Sequence, residues 1–254
     1  MPMLLPSMTY KEMYDCLAAD FDKVKFKKEQ LLPRVIREFK KEMKFPAWKW
    51  YEYTAPSKNK YIIFFYAETR YDVENPKIDS FCIVFDDSNR RYVFKCNVAH
   101  WVSDGRESSI IREIRVYTSH FFDRYKERWF KDTSLTSNET ACRYFSRNEE
   151  GRMPIEMNED INRHLEKYGE GARYSCRVRD GVCFVMTDQQ LVKSEDGDRP
   201  IAQLEIYKTF ISRSEMAESQ LKAIDKSYYE SWFRSEQTIQ KEFMNGTKTF
   251  TLEK

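Results

Sequence analysis

Apolar positions change their period along the chain, and that change marks out the elements. Residues 8–20 carry Met8, Met13, Tyr14 and Leu17, and residues 27–44 carry Leu31, Leu32, Val35, Ile36 and Phe39. Spacings close to three and four put each set on one side of a helix, so two amphipathic helices lead the chain. After Pro46 the period becomes two, and segments 48–50, 61–66, 81–85 and 92–98 read as strands. The turn-forming stretches 56–59, 75–76 and 86–89 between them give the pattern of an antiparallel meander.

The polar stretch 103–109 holds nothing suited to a core and reads as a loop before a strand at 110–117. Helices over 119–131 and 137–147 follow. The charged segment 146–171 reads as loop plus a short helix. A hairpin at 172–187 and a strand at 201–211 come next, then a long helix over 213–244. Ser212 and Glu215 have capping-box spacing at the start of that helix, and Ala217, Leu221, Ile224, Tyr228, Ile239 and Phe243 form its stripe. With no βαβ alternation, the expected fold is α+β: a largely antiparallel sheet, two N-terminal helices, a central His/Arg helix and a long C-terminal helix. We expect a single domain over 1–254, with 1–102 and 110–254 as its natural subdivision.

Length and composition narrow the function classes. The chain has 254 residues, and 43 Lys+Arg against 41 Asp+Glu leave +2. Affinity for an anionic polymer must therefore come from local clustering. Aromatic residues reach 15%, which excludes a disordered chain. Cys16, Cys82, Cys96, Cys142, Cys176 and Cys183 form no C-x-x-C pair, and a reduced, cytoplasmic protein is expected. No apolar stretch approaches the roughly 18 residues of a membrane helix, so no membrane partner is expected. Nucleotide-loop, zinc and nucleophile-elbow motifs are absent, and neither a cofactor nor a metal is expected. His100 and His164 read as structural or solvated.

Two clusters can carry chemistry. In the helix after Ser119, the residues Phe121, Phe122, Tyr125 and Trp129 fall in one sector and His120, Arg124, Glu127 and Arg128 in the next. Such a border suits an imidazole titrating near neutrality beside guanidinium groups shaped for phosphate. The same residues also satisfy a surface ion-pair ladder, since Arg124 and Arg128 neighbour Glu127 or Asp123. In the hairpin, Asp180-Gly181 signals a type I′ turn. Its register would put Tyr174, Cys176, Val178, Cys183 and Val185 toward the core, with Cys176 and Cys183 diagonal neighbours. Arg173, Ser175, Arg177 and Arg179 would share the other face with Val182, Phe184 and Met186. Arginines interleaved with an aromatic suit a nucleic-acid backbone, and equally a solvated outer face.

Over residues 112–212, several features occur in a telling order: a strand, His120-x-x-x-Arg124-x-x-Glu127-Arg128, a Ser137-x-Glu139 helix start, a hairpin with Gly181-Val182-Cys183-Phe184-Val185, and a strand ending Tyr207-Lys208-Thr209-Phe210. This order resembles bacterial domains with an H-x-x-x-R-x-x-E-R helix, grouped with RelE-like and barnase-like ribonuclease toxins. The resemblance implies a helix packed on an antiparallel sheet that binds RNA, and cleavage by the ribose 2′-hydroxyl without a metal. His120 would act as general acid or base, Arg124 and Arg128 would hold phosphate, and Thr209 would supply a polar contact. Glu127 is the one nearby carboxylate for a second acid/base role. The expected function is an RNA-binding protein, either a metal-independent endoribonuclease or a degenerate toxin-like relative. A neutralising protein is a second expected partner. The alternative is a non-catalytic protein- or nucleic-acid-binding module of a bacterial mobile element.

Overall fold

The computed structural model describes residues 3–5, 7–103, 107–149, 153–155, 172–194, 197–216, 218, 221–222 and 224–226. Nine strands are described: β1 (Ala47–Thr54), β2 (Lys60–Ala67), β3 (Lys77–Phe85), β4 (Arg91–Ser103), β5 (Glu107–Thr118), β6 (Met153–Ile155), β7 (Ala172–Val178), β8 (Gly181–Ser194) and β9 (Gly197–Ser212). They form one sheet in the order β1-β2-β3-β4-β5-β9-β8-β7-β6. Neighbours pair antiparallel except β5 and β9, whose parallel pairing joins the meander to the C-terminal strands. The fold is thus α+β with a mostly antiparallel sheet, as the strand pattern predicts.

Helices cover both faces. Helices α1 (Tyr10–Ala18) and α2 (Phe21–Phe39) bury Met13, Cys16, Leu17, Val35 and Phe39 against Tyr61, Ile63, Phe65, Ile114 and Val116. On the other face α3 (Ser119–Tyr125) and α4 (Ser137–Asn148) bury Phe121, Phe122, Tyr125, Tyr144 and Phe145 against Phe64, Phe81, Tyr117, Cys183, Tyr207 and Phe210. Because both faces are covered, β2 is buried from Tyr61 to Ala67 and shows no polar alternation. Local chemistry starts the helices. Thr9 with Glu12 and Thr136 with Glu139 form capping boxes, and the Thr118 hydroxyl accepts from the Phe121 amide. Asp20, ahead of α2, is buried and accepts from Ser57 (2.7 Å), Asn59 (2.8 Å) and Tyr61 (3.0 Å), which ties the helix junction to the β1–β2 turn.

Several expectations are corrected. The described residues of the polar stretch 103–109 are strand, since β4 runs to Ser103 and β5 starts at Glu107: pairing of the two backbones overrides polar composition. The helix expected over 119–131 ends as α-helix at Tyr125. It widens into a π turn at Lys126–Phe130, closed by the Lys131 amide on the Lys126 carbonyl at 3.0 Å, with Lys131 left-handed (φ 54). The long C-terminal helix does not start at 213. Ser212 and Glu215 do cap one another, but they open a single 3-10 turn at Arg213–Glu215, and Met216 is extended (φ −91, ψ 142). A capping box specifies only a first turn. Met216 instead packs beside Val182, Phe184 and Ile224. Glu218, Leu221, Lys222 and 224–226 are helical, and the rest of the expected 213–244 helix lies outside the described residues, as does most of 146–171 including His164.

The hairpin register also differs from the expected one. The turn is Arg179-Asp180, neither residue has positive φ, and Val178 pairs with Gly181. Cys176 and Cys183 are therefore directly opposed rather than diagonal; both are buried and both are free thiols, as are the other four cysteines. Gly181 is required by space, not by turn handedness. A Cβ built there lies 2.0 Å from the Ile211 carbonyl oxygen and 2.7 Å from the Phe210 ring. Gly181→Ala should thus destabilise the protein by about 1–3 kcal/mol or more in urea unfolding. Wild-type stability for this variant would show that β9 moves away at no cost.

Candidate functional site

The mainly apolar face under α3 and α4 becomes charged where α4 ends. Along β3, Phe81 belongs to the core, while Asp79 and Lys77, two and four residues back on the same face, do not. α4 lies against β1, β2, β3 and α3, so its last turn sits over this part of the sheet. Five strands separate β2 from β7, yet Glu68, just past β2, lies 3.4 Å from Arg179 in the β7–β8 turn. The sheet therefore curls around the helices, as accumulated strand twist allows. The result is a cleft of about 670 Å³ lined by Phe64, Lys77, Asp79, Phe145, Arg147, Glu149, Arg177 and Arg179 among others.

The lining holds four cations and two carboxylates, and their partners decide which charges a ligand meets. Lys95 lies almost buried behind the cleft. Its ammonium bonds Asp79 and lies 3.1 Å from Glu149, and it rests 4.5 Å from the centre of the Phe145 ring. Burial alone would lower its pKa, but the two carboxylates outweigh burial and raise it. Lys95 therefore pairs with both acidic residues of the lining and offsets one of their two charges. Arg177 lies 3.5 Å from Asp225. Arg179 has the more exposed pair: 3.4 Å from Glu68, with the side chains 53% and 46% exposed. An exposed pair of this kind is worth about 0–1 kcal/mol, so this guanidinium is the most easily transferred to a ligand.

Arg147 plays a different part. It forms a bidentate pair with Asp180 (2.7 and 2.9 Å), and its ring-stacking partner is Trp129 at 5.2 Å. Asp180 is fully buried and also accepts from Tyr125 (2.6 Å) and Asn148 (3.0 Å); its own amide donates to Asn148 Oδ1 (3.0 Å). The carboxylate beside Arg147 raises the guanidinium pKa further, while burial followed by the Asp180 charge raises that of the Tyr125 phenol. Every polar atom of this cluster that faces Asp180 is bonded to it, so the cluster is a clamp fixing the hairpin tip to α4. It holds Arg179 at the cleft mouth.

The residues singled out from the sequence fall into separate groups. Arg177 and Arg179 line the cleft. His120, Arg124, Glu127 and Arg128 do not. His120 is exposed on α3, whose neighbouring Phe121 and Phe122 face the core. Arg124 donates to Glu127 at 2.7 Å, the i,i+3 ladder geometry. Arg128 donates to the Phe210 carbonyl at 2.6 Å and lies 3.5 Å from Glu215, which ties the end of β9 to the turn after it. Thr209 is buried opposite Phe184, on the face that carries Val182, Met216 and Ile224. The Arg173 side chain lies outside the described residues. Lys77, Arg147 and Phe145 were not anticipated. The one sequence signal for them is Arg143 and Arg147 at i,i+4 on α4, and it says nothing about Asp180.

Among the described residues no group of three His, Cys, Asp or Glu side chains is placed to hold a metal, and no helix is long and apolar enough to cross a membrane. Arg147→Met leaves Asp180 buried without its cation and should cost about 3–5 kcal/mol in urea unfolding at pH 7. His120→Ala, on an exposed position, should change stability by less than about 0.5 kcal/mol. Equal costs for the two would contradict the assignment of the clamp. Compared with known proteins, the chain matches no family model, no curated protein and no solved structure, so the reading of the cleft stands on its own geometry.

Proposed function

We propose that the chain binds single-stranded RNA through its phosphate backbone at this cleft, as a binding module that does not cut its ligand. The observation that carries the reading is the meeting of Lys77, Arg177 and Arg179 in one cleft whose two carboxylates share the pairing of Lys95. Guanidinium and ammonium groups in a groove are the usual means of holding a phosphate chain. A volume of about 670 Å³ is that of a pocket for a small segment, not of a groove that seats a duplex.

Catalysis has weaker support. A general acid or base must reach the reacting oxygen directly or through one water. His120 is not part of the cleft lining, Arg124 answers Glu127, and Arg128 serves the backbone of β9.

The test is binding of a short oligouridylate at several salt concentrations in a chelator-containing buffer. Two to four phosphate contacts give a slope of log K against log salt between about −1.4 and −2.8, and Arg179→Ala should remove about 0.7 of it. The RNA should stay full-length, and His120→Ala should bind as the wild type does. Cleavage that disappears in His120→Ala would reinstate the enzyme, and salt-independent or undetectable binding would remove RNA as the ligand.

A further inference from the structure

Tyr66, beside the cleft-lining Lys77, is the odd polar group next to this cleft. It lies on β2 two residues from Phe64, on the same face, directly across from Trp48 on β1 and Lys77 on β3. Its ring stacks on Trp48 with centroids 5.3 Å apart, and the residue is 2% exposed. Its hydroxyl is buried and has no hydrogen-bond partner among the described residues. A buried hydroxyl without a partner is uncommon, because its desolvation is not offset. The neighbouring groups explain what it suits. Lys77 and Phe64 line the cleft, and Glu68, two residues on, is the loose partner of Arg179.

The geometry points to Tyr66 as the neutral hydrogen-bond donor of a phosphate subsite at the cleft mouth, with Arg179 and Lys77 supplying the charge. This rests on the RNA reading above and names the group through which the backbone is gripped. A phosphodiester oxygen arriving there takes Arg179 from Glu68 and accepts the hydroxyl proton that nothing else accepts. Charge-assisted bonds of this kind are roughly twice as strong as neutral ones. Electrostatics agree with the placement. Burial raises the phenol pKa and Glu68 and Asp72 raise it further, whereas Arg147 and Arg179 lower it, so the charges at the cleft mouth act on this hydroxyl. The phenol therefore stays protonated and able to donate.

Tyr66→Phe removes the hydroxyl and leaves the Trp48 stack. We expect it to bind a 5′-hydroxyl oligouridylate about tenfold more weakly than wild type, the size of one hydrogen bond to a charged group. Its salt slope should be unchanged, because no cation is lost, whereas Arg179→Ala and Lys77→Ala should flatten the slope. Its melting temperature should be no lower than that of the wild type. Inorganic phosphate serves as a second probe, which separates a free phosphate from a chain phosphate. If wild type binds phosphate in a Tyr66-dependent manner but not RNA, the subsite stands and the RNA reading falls. If RNA binding is lost on Arg179→Ala but unaffected by Tyr66→Phe, the RNA reading stands and the subsite is overturned. A lower melting temperature for Tyr66→Phe, or binding of neither probe by wild type, overturns it as well.

Discussion

Everything in the molecule hangs from the parallel join of β5 and β9, where Tyr117 and Tyr207 are register partners and their rings stack at 4.1 Å. Two antiparallel half-sheets meet at this seam, and without it each would present an edge with unpaired backbone groups. Phe121 and Tyr144 approach Tyr117 edge-on at 5.4 and 5.7 Å, and Phe145 at 5.0 Å. Aromatic pairs of this geometry contribute about 0.5–1.5 kcal/mol each beyond the area they bury. The seam is therefore the place where both helices of that face are anchored, and their position decides where the cleft opens.

The Asp180 clamp transmits that anchoring to the periphery. Tyr125 on α3 and Arg147 and Asn148 at the end of α4 converge on one carboxylate in the β7–β8 turn. A buried ion pair of this sort adds little to stability compared with an apolar core, but it specifies one arrangement of turn against helix. The directly opposed Cys176 and Cys183 and the tight approach of Gly181 to Phe210 belong to the same docking. A hairpin tip held this firmly gives Arg179 a defined position over the cleft although its side chain is half exposed.

Functionally, what distinguishes this cleft is the allocation of partners rather than the number of charges. Asp79 and Glu149 share Lys95, Arg147 is committed to Asp180, and Arg179 has only a loose, solvated pair. On the other side of the argument, the H-x-x-x-R-x-x-E-R helix spends its cations locally: Arg124 on Glu127 and Arg128 on the end of β9.

Periodicity alone determined the α+β class, the meander and the starts of α1, α3 and α4, because those depend on neighbours within a few residues: Thr9 with Glu12, Thr118 with the Phe121 amide, apolar alternation along β3 and β4. The hairpin arginines were visible for the same reason, as alternate positions on a strand. Tertiary structure decided the rest. Ser212 and Glu215 carry the same capping signal as Thr136 and Glu139, but only α4 continues, since Met216 finds its burial beside Phe184 in extended form. Ser103 and residues 107–109 of the polar stretch pair as strand because their partner strand is adjacent. Which carboxylate Arg147 takes and which Arg179 meets depend on groups 33 and 111 residues apart along the chain. No local pattern records such meetings; they arise only when the sheet curls and brings the turn of one hairpin to the end of a helix.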